Sequence, residues 1–104
     1  MKKNRVIIIK IKESEVKLMV RKYLTIKGWF HFPIVQNIGS FKGAPDIIAC
    51  KNGQVLFIEV KTPRGRQSEH QKEFQRNIEA QRCKYLLVRN LEELIEGLEG
   101  LKVR

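Results

Sequence analysis

Two short apolar segments on either side of Asn52-Gly53 constrain the fold of this 104-residue chain more than any other feature. Residues 47–50 and 55–58 are almost continuously apolar, as buried strands are. An Asn-Gly pair between two such segments is a strong signal for the two-residue turn of a β-hairpin. The sequence therefore predicts two adjacent antiparallel strands, with the chain reversing at Asn52-Gly53.

Charged residues stand at one end of the predicted hairpin. Asp46, preceded by Pro45, opens the first strand, and Glu59 and Lys61 close the second. Side chains alternate faces along a strand, so Glu59 and Lys61 point the same way while Val60 points to the opposite face. Because the strands run antiparallel, we expect Asp46 to lie near the end where Glu59 and Lys61 emerge.

This combination of charges is typical of a metal site. Two neighbouring carboxylates repel each other unless a cation lies between them, and Mg²⁺ prefers oxygen ligands. A lysine beside the ion can orient or deprotonate a water molecule, or stabilise charge on a phosphate. Taken alone, Asp46 would fit a turn, and Glu59 with Lys61 an exposed ion pair. At the ends of apolar strands, where charges need partners, the set favours metal-assisted phosphodiester hydrolysis.

The same residues match the signature of a nuclease superfamily. Pro45-Asp46 followed by Glu59-Val60-Lys61 resembles the PD-(D/E)XK motif. Within that superfamily the chain resembles a stand-alone VRR-NUC (virus-type replication-repair nuclease) domain of the phage or bacterial type, from about residue 13 to about residue 97. The supporting features are Gly28-Trp29, Asn37-x-Gly39, residues 42–46 and residues 68–71. The resemblance implies a restriction-endonuclease-like core and a Mg²⁺-dependent DNA endonuclease, with Mn²⁺ able to substitute.

The resemblance also implies roles for the signature residues. Asp46 and Glu59 would ligate the metal, and the carbonyl oxygen of Val60 would be a further ligand. Lys61 would position or activate the attacking water.

Related nucleases carry another glutamate on the first helix, for which Glu13 and Glu15 are the candidates. Glu13 lies three residues before Val16, on the apolar face, whereas Glu15 points to one side. We prefer Glu13 as the additional catalytic and metal-binding carboxylate. The helix macrodipole also favours acids in a first turn, which would explain one of the two without any catalytic role.

Gln71 lies three residues before Phe74 and seven before Ile78, on the inward face of its predicted helix. In resembling domains a glutamine here approaches the catalytic pocket. Ser68-x-x-Gln71 also fits a capping box at the start of that helix. Both roles are compatible with the sequence.

The positive charge of the chain is unevenly distributed. The formal net charge is +10, and residues 1–66 hold 14 Lys/Arg against 4 Asp/Glu, whereas residues 67–104 hold 7 against 7. The excess accompanies the candidate site, as expected for a surface that attracts DNA. Lys42, Arg64 and Arg66 lie in glycine-containing loops beside the site and are candidate phosphate contacts. No base-reading motif is visible, which favours recognition of the DNA backbone.

The pattern along the chain predicts one α/β domain over residues 1–104, with the order α-β-β-β-α-β-α and a mixed central sheet flanked by helices. Helices are predicted over residues 13–27, over 68–82 and after the cap Asn90. Strands are predicted over residues 29–38, with Pro33 indicating an edge position or a bulge, over the two hairpin segments and over 84–89. Residues 6–12 have strand composition and would form an extra edge strand, a dimer contact or an arm.

Other classes of protein are disfavoured. Cys50 and Cys83 are too few and too poorly spaced for a zinc site or a disulfide framework, and we expect both to be reduced and partly buried. No apolar run approaches the length of a membrane span. The N-terminal apolar stretch is too short for a signal peptide, so a cytoplasmic location in a bacterial or phage-infected cell is expected.

The expected partner is DNA. A domain of this size covers little of a duplex, and resembling junction resolvases act as symmetric dimers. The resemblance therefore implies a homodimer acting on branched DNA such as a four-way junction. The sequence itself offers Trp29, Phe30 and Phe32 as a candidate apolar interface. The alternative function is a DNA-binding module of the same fold that does not cleave.

Overall fold

The computed structural model describes residues 11–35 and 41–101. Within these residues the predicted order of helices and strands is confirmed. The elements are α1 (Glu13–Ile26), β1 (Phe30–Pro33), β2 (Ile47–Lys51), β3 (Gln54–Val60), α2 (Glu69–Ala80), β4 (Lys84–Val88) and α3 (Leu91–Glu99). The predictions for residues 6–10 and 36–40 fall outside the described residues.

The described strands form a mixed sheet in the order β1-β2-β3-β4. The first two pairings are antiparallel and the pairing of β3 with β4 is parallel. Lys51 pairs with Gln54 across the predicted two-residue turn, where Asn52 and Gly53 have φ angles of 50° and 80°. Positive φ at both positions is what a type I′ turn requires.

Alternation along β3 divides the domain into layers. Leu56, Ile58 and Val60 point into the main core, against Val16, Val20 and Leu24 of α1 and Leu94 of α3. These α1 residues recur every four positions, so they form one stripe along the helix. Phe57 points to the opposite face of the sheet, where it meets Phe74 of α2. The sheet therefore lies between α2 on one side and α1 with α3 on the other.

The α2 side of the sheet is held by aromatic contacts. The Phe74 ring packs edge to face against Phe57, with centroids 6.1 Å apart, and against Phe41, at 5.8 Å. Phe74 and Ile78 are half-buried, in agreement with the predicted inward face of this helix. The contact with Phe41 also attaches the loop that precedes Asp46 to α2.

The start of α3 confirms the predicted cap. Asn90 is the N-cap, and its side chain accepts a hydrogen bond of 2.8 Å from the backbone N–H of Glu93. In a complete capping box Glu93 would accept in return from Asn90. It accepts instead from the backbone N–H of Arg89, at 2.6 Å, and so fastens the end of β4 to the helix.

Three sequence predictions are corrected by the structure. Within the described residues the strand predicted over residues 29–38 is shorter, since β1 spans Phe30–Pro33. Among the four described strands β1 is an outer one, which agrees with the edge position predicted from Pro33. Trp29 is buried in the core and not part of an exposed apolar surface, since a Schellman motif bonds its N–H to the Leu24 carbonyl and turns the chain under α1. Cys83 is exposed, because it lies in the turn before β4 and outside the sheet, whereas Cys50 is half-buried as predicted.

No helix in the described part of the chain is both long and apolar enough to cross a membrane.

Candidate active site

The two signature carboxylates lie together at one end of the sheet, on adjacent strands. Asp46 is 8% exposed and Glu59 only 1%. Since Ile47 pairs with Ile58, Asp46 comes opposite Glu59. Its Oδ2 accepts a hydrogen bond of 2.7 Å from the backbone N–H of Val60. Asp46 therefore fastens the end of β3 as well as supplying a carboxylate.

Glu59 has one engaged oxygen and one free oxygen. Its Oε2 accepts from Gln71 Nε2 at 3.0 Å and lies 3.7 Å from Lys61 Nζ. Its Oε1 is buried and has no hydrogen-bond partner among the described residues. Burial, and next the charge of Asp46, raise the pKa of Glu59 to about 8, although Lys61 opposes the shift. At neutral pH this carboxyl therefore favours its protonated form, first because it is buried and next because Asp46 lies beside it.

Gln71 forms the predicted capping box and also contacts Glu59, while its part in catalysis stays a prediction. Its Oε1 accepts from the Ser68 backbone N–H at 2.8 Å, and its own N–H donates to Ser68 Oγ at 3.2 Å, which completes the capping box. The amide nitrogen then faces Glu59. The cap thus fixes the orientation of the side chain that contacts the carboxylate.

Lys17 is a site residue that the sequence analysis missed. Its Nζ lies 3.1 Å from Asp46 Oδ1 and 3.2 Å from Glu13 Oε2. Burial alone would lower its pKa, but the hydrogen bond and charge of Asp46, and then those of Glu13, raise it on balance. The available signal was the i,i+4 spacing of Glu13 and Lys17 on a helix.

The structure distinguishes Glu13 from Glu15. Glu13 is half-buried and reaches Asp46 through the ammonium of Lys17, whereas Glu15 is exposed. The charge of Glu13 also contributes to the raised pKa of Glu59. Among the described residues, however, no three His, Cys, Asp or Glu side chains form a ready-made metal cluster. The position of Glu13 agrees with our preference, and its role as a ligand stays a prediction.

Tyr85 is a second neighbour that the sequence did not reveal, because it stands in an apolar strand without any polar pattern. It pairs with Phe57 in the register of β3 and β4, and so shares the face of Glu59. Burial, and then the charge of Glu59, raise the pKa of its hydroxyl. Gln67 Nε2 lies 3.4 Å from the hydroxyl oxygen. The hydroxyl therefore stays protonated beside the carboxylate.

Solved structures share this arrangement of helices and strands. One, described as a VRR_NUC domain, has a TM-score of 0.75 at 18% identity, covering 86% of this chain and 97% of its own. The chain has the VRR-NUC fold. A second, described as a VRR_NUC domain protein, has a TM-score of 0.69 at 18% identity and covers 88% of each chain. No family model matches the sequence, and no curated protein does.

At this end of the VRR-NUC fold, the donor atoms fit a hard divalent cation. Glu59 Oε1 is a buried carboxyl oxygen without a partner in the described residues, and burial, and next the charge of Asp46, raise the pKa of Glu59. A cation between the two carboxyl groups would relieve both conditions. Asp46 and Glu59 are the residues that could hold it. The Val60 carbonyl as a further ligand stays a prediction, since only the N–H of that residue has a described role in the site.

The predicted phosphate contacts lie in the loops that lead into Asp46 and away from Lys61. Lys42, Arg64 and Arg66 are exposed. The loop that carries both arginines begins directly after Lys61 and is closed by a 2.9 Å hydrogen bond from Gly65 N–H to the Thr62 carbonyl. Arg89 donates to the Gly65 carbonyl at 2.9 Å and holds this loop in place. The exposed side chains of Lys42, Arg64 and Arg66 are therefore accessible to a polyanion.

Proposed function

We propose that this chain is a Mg²⁺-dependent endonuclease that hydrolyses phosphodiester bonds in DNA. The observation that carries the proposal is the pair of buried carboxylates, Asp46 and Glu59, on adjacent strands with the Lys61 ammonium 3.7 Å from Glu59. Burying two acids side by side opposes folding unless the charges are compensated. A bound cation would compensate the two buried acids, and Glu59 Oε1, which has no hydrogen-bond partner in the described residues, could ligate it. The cation could in turn bind a phosphate.

The metal, Lys61 and Gln71 each have a separate role in the proposed hydrolysis. When bound, Mg²⁺ supplies charge neutralisation and activation of water. Lys61 presents an ammonium on the same strand face as Glu59, where it can orient the attacking water or stabilise charge on the scissile phosphate. Gln71 holds one oxygen of Glu59, and the other is buried without a hydrogen-bond partner among the described residues. Mn²⁺ should substitute for Mg²⁺, because it accepts the same oxygen ligands.

DNA is the substrate that the charge favours. The excess of Lys/Arg over Asp/Glu lies entirely in residues 1–66, and Lys42, Arg64 and Arg66 flank the site. These side chains would contact phosphates, so affinity would depend on backbone shape more than on base sequence. The solved structures of similar fold are VRR_NUC domains, which agrees with a nuclease.

Branched DNA, such as a four-way junction, is the proposed substrate class, cleaved by a homodimer. A domain of this size spans few base pairs, and two sites would be needed to act on both strands. Phe30 and Phe32 lie on β1, an outer strand of the four that the structure describes; they are 68% and 41% exposed, and their ring centroids are 5.9 Å apart. An apolar pair at a sheet edge is a suitable contact for a second copy.

A non-cleaving DNA-binding module is the second candidate. The observation that favours it is that Lys17 already contacts Asp46, and that the described residues include no ready-made cluster of three metal ligands. The two candidates differ in what happens to DNA when a divalent cation is added.

The test is cleavage of duplex, flap, single-stranded and four-way-junction DNA with Mg²⁺, Mn²⁺ or EDTA. We expect cleavage of the junction only with metal, and DNA binding in EDTA. Lys61→Ala should lower the rate by about 10²–10⁴-fold with affinity nearly unchanged. Lys72→Ala, at an exposed position on α2, is the matched control and should cleave as wild type does. If wild type cleaves none of these with any metal, the binding module is the correct function.

A further inference from the structure

The two oxygens of the Asp46 carboxylate both have partners within the described structure. Oδ2 accepts from the Val60 N–H at 2.7 Å, and Oδ1 lies 3.1 Å from Lys17 Nζ. The same ammonium lies 3.2 Å from Glu13 Oε2. The ammonium of Lys17 therefore bridges Glu13, which lies on α1, and Asp46, which directly precedes β2.

We propose that Lys17 is the internal counter-ion of the metal site. In the metal-free protein its ammonium holds Asp46 beside Glu13, and a divalent cation that takes Asp46 as a ligand displaces it. Lys17 thereby lowers the affinity for the metal. This inference rests on the proposed metal-dependent function, but it concerns a residue that has no place in the PD-(D/E)XK signature.

The burial of the partners indicates which of them moves. The side chain of Asp46 is 10% exposed and is fixed by the backbone of β3, whereas the side chain of Lys17 is 37% exposed. A lysine is a compact charge on a flexible stem, so its head can leave without moving the helix. The neighbouring Val16 remains in the core and keeps α1 in place.

Glu13 can remain the partner of Lys17 when the ammonium leaves Asp46. Glu13, four residues earlier on α1 and 42% exposed, can keep the ammonium as an ordinary surface pair after the metal has replaced it at Asp46. An exposed pair of this kind contributes little to stability, so the exchange has a small energetic cost. The contact with the buried Asp46 is the one that a metal must replace.

Metal binding without DNA tests the proposal. Calorimetric titration with Mn²⁺ would compare wild type with the neutral variants Lys17→Gln and Lys17→Met and with the charge-conserving Lys17→Arg. We expect the neutral variants to bind Mn²⁺ about three- to tenfold more tightly, since they remove a competing ion pair. Lys17→Arg should bind as wild type does. Lys22→Gln, which removes a charge at an exposed position of the same helix, is the matched control and should leave the affinity within about twofold.

Thermal unfolding gives an independent readout. In EDTA, Lys17→Gln should melt below wild type, because Glu13 and Asp46 then face each other without a cation. Saturating Mg²⁺ should remove most of that difference, so the variant gains more from the metal than wild type does.

The outcomes separate the two proposals. If wild type binds Mn²⁺ and the neutral variants bind it equally or more weakly, the counter-ion role is wrong and the metal site stands. If neither wild type nor any variant binds Mn²⁺, the metal-dependent function is wrong and the counter-ion role falls with it. Tighter binding by the Lys22 control would attribute the effect to net charge and would also overturn the role of Lys17.

Discussion

Gly43 packs against α2 so closely that a Cβ at this position would overlap the carbonyl group of His70 and lie 2.9 Å from the backbone nitrogen of Gln71. Gly43 belongs to the loop that leads into Asp46, and His70 and Gln71 form the first turn of α2. Because residue 43 has no side chain, the first turn of α2 can lie directly against the loop that leads into Asp46. The same turn of α2 carries Gln71, whose side chain donates to Glu59.

The first prediction is that Gly43→Ala destabilises the protein and disrupts the site. Gly53→Ala is the matched control, because Gly53 has nearly the same φ, 80° against 82°, and a Cβ there would meet nothing within 4 Å. The control should cost about 1–2 kcal/mol for the left-handed backbone alone. Gly43→Ala should cost about 2 kcal/mol more, since backbone atoms must move. Urea denaturation measures both, and equal destabilisation would show that the close approach to α2 is unimportant.

The second prediction separates the two roles of Gln71. Gln71→Glu keeps a capping-box residue but directs a carboxylate at Glu59, so cleavage should fall by at least about tenfold with little change in stability. Ser68→Ala removes the cap while keeping the amide, so it should cost about 0.5–2 kcal/mol of stability and leave most of the activity. Single-turnover rates and urea denaturation provide the two readouts. Reversed effects would mean that Gln71 acts only as a cap.

The third prediction concerns pH and Glu59. Its carboxyl ionises near pH 4.5 in the unfolded chain and near pH 8 in the folded, metal-free protein. Between these values the folded state binds more protons, so the free energy of unfolding should fall as pH rises from about 5 to about 8, and then level off. Urea denaturation in EDTA at several pH values measures this slope. Glu59→Gln should flatten it, and an unchanged slope in that variant would assign the titration to another group.

The fourth prediction concerns the basic loop. Arg64→Ala and Arg66→Ala should each reduce the slope of log affinity against log salt concentration by about 0.9 on duplex DNA, as expected when the protein neutralises one phosphate fewer. Lys84→Ala is the control, because Lys84 pairs with Leu56 at the end of the sheet away from the site. Fluorescence anisotropy in EDTA, between low and high salt, gives the slopes. A slope that changes equally in all three variants would show that DNA binding is not localised to this loop.

The parts of the site that follow from local rules were predictable from the sequence. The Asn52-Gly53 turn fixes the register of β2 and β3, and that register places Asp46 opposite Glu59. Alternation along the strand puts Lys61 beside Glu59. The capping box orients Gln71 within four residues of its own chain. Each of these relations is set within a turn, a strand or one helical turn.

The contacts that the sequence did not reveal join elements that are distant along the chain. Lys17 meets Asp46 only because α1 crosses the end of the sheet, and Tyr85 comes to the face of Glu59 only through the parallel pairing of β4. Trp29 belongs to the same buried cluster as Ile47 and Leu94, which lie far from it along the chain. Periodicity assigns a residue to a face of its own element, but it does not specify which neighbour covers that face.

The parallel pairing of β4 affects when, during folding, Glu59 becomes buried and its pKa rises. The β2–β3 hairpin closes over two residues, whereas Leu56 pairs with Lys84 only after α2 has crossed between the strands. Local closures are fast and distant ones slow, so we expect Glu59 to pass through a solvated stage in which it is an ordinary ionised acid. It loses its water when Gln71 and Tyr85 arrive. Refolding at neutral pH without metal should therefore end with the uptake of a proton, and the time of that uptake marks the docking of β4.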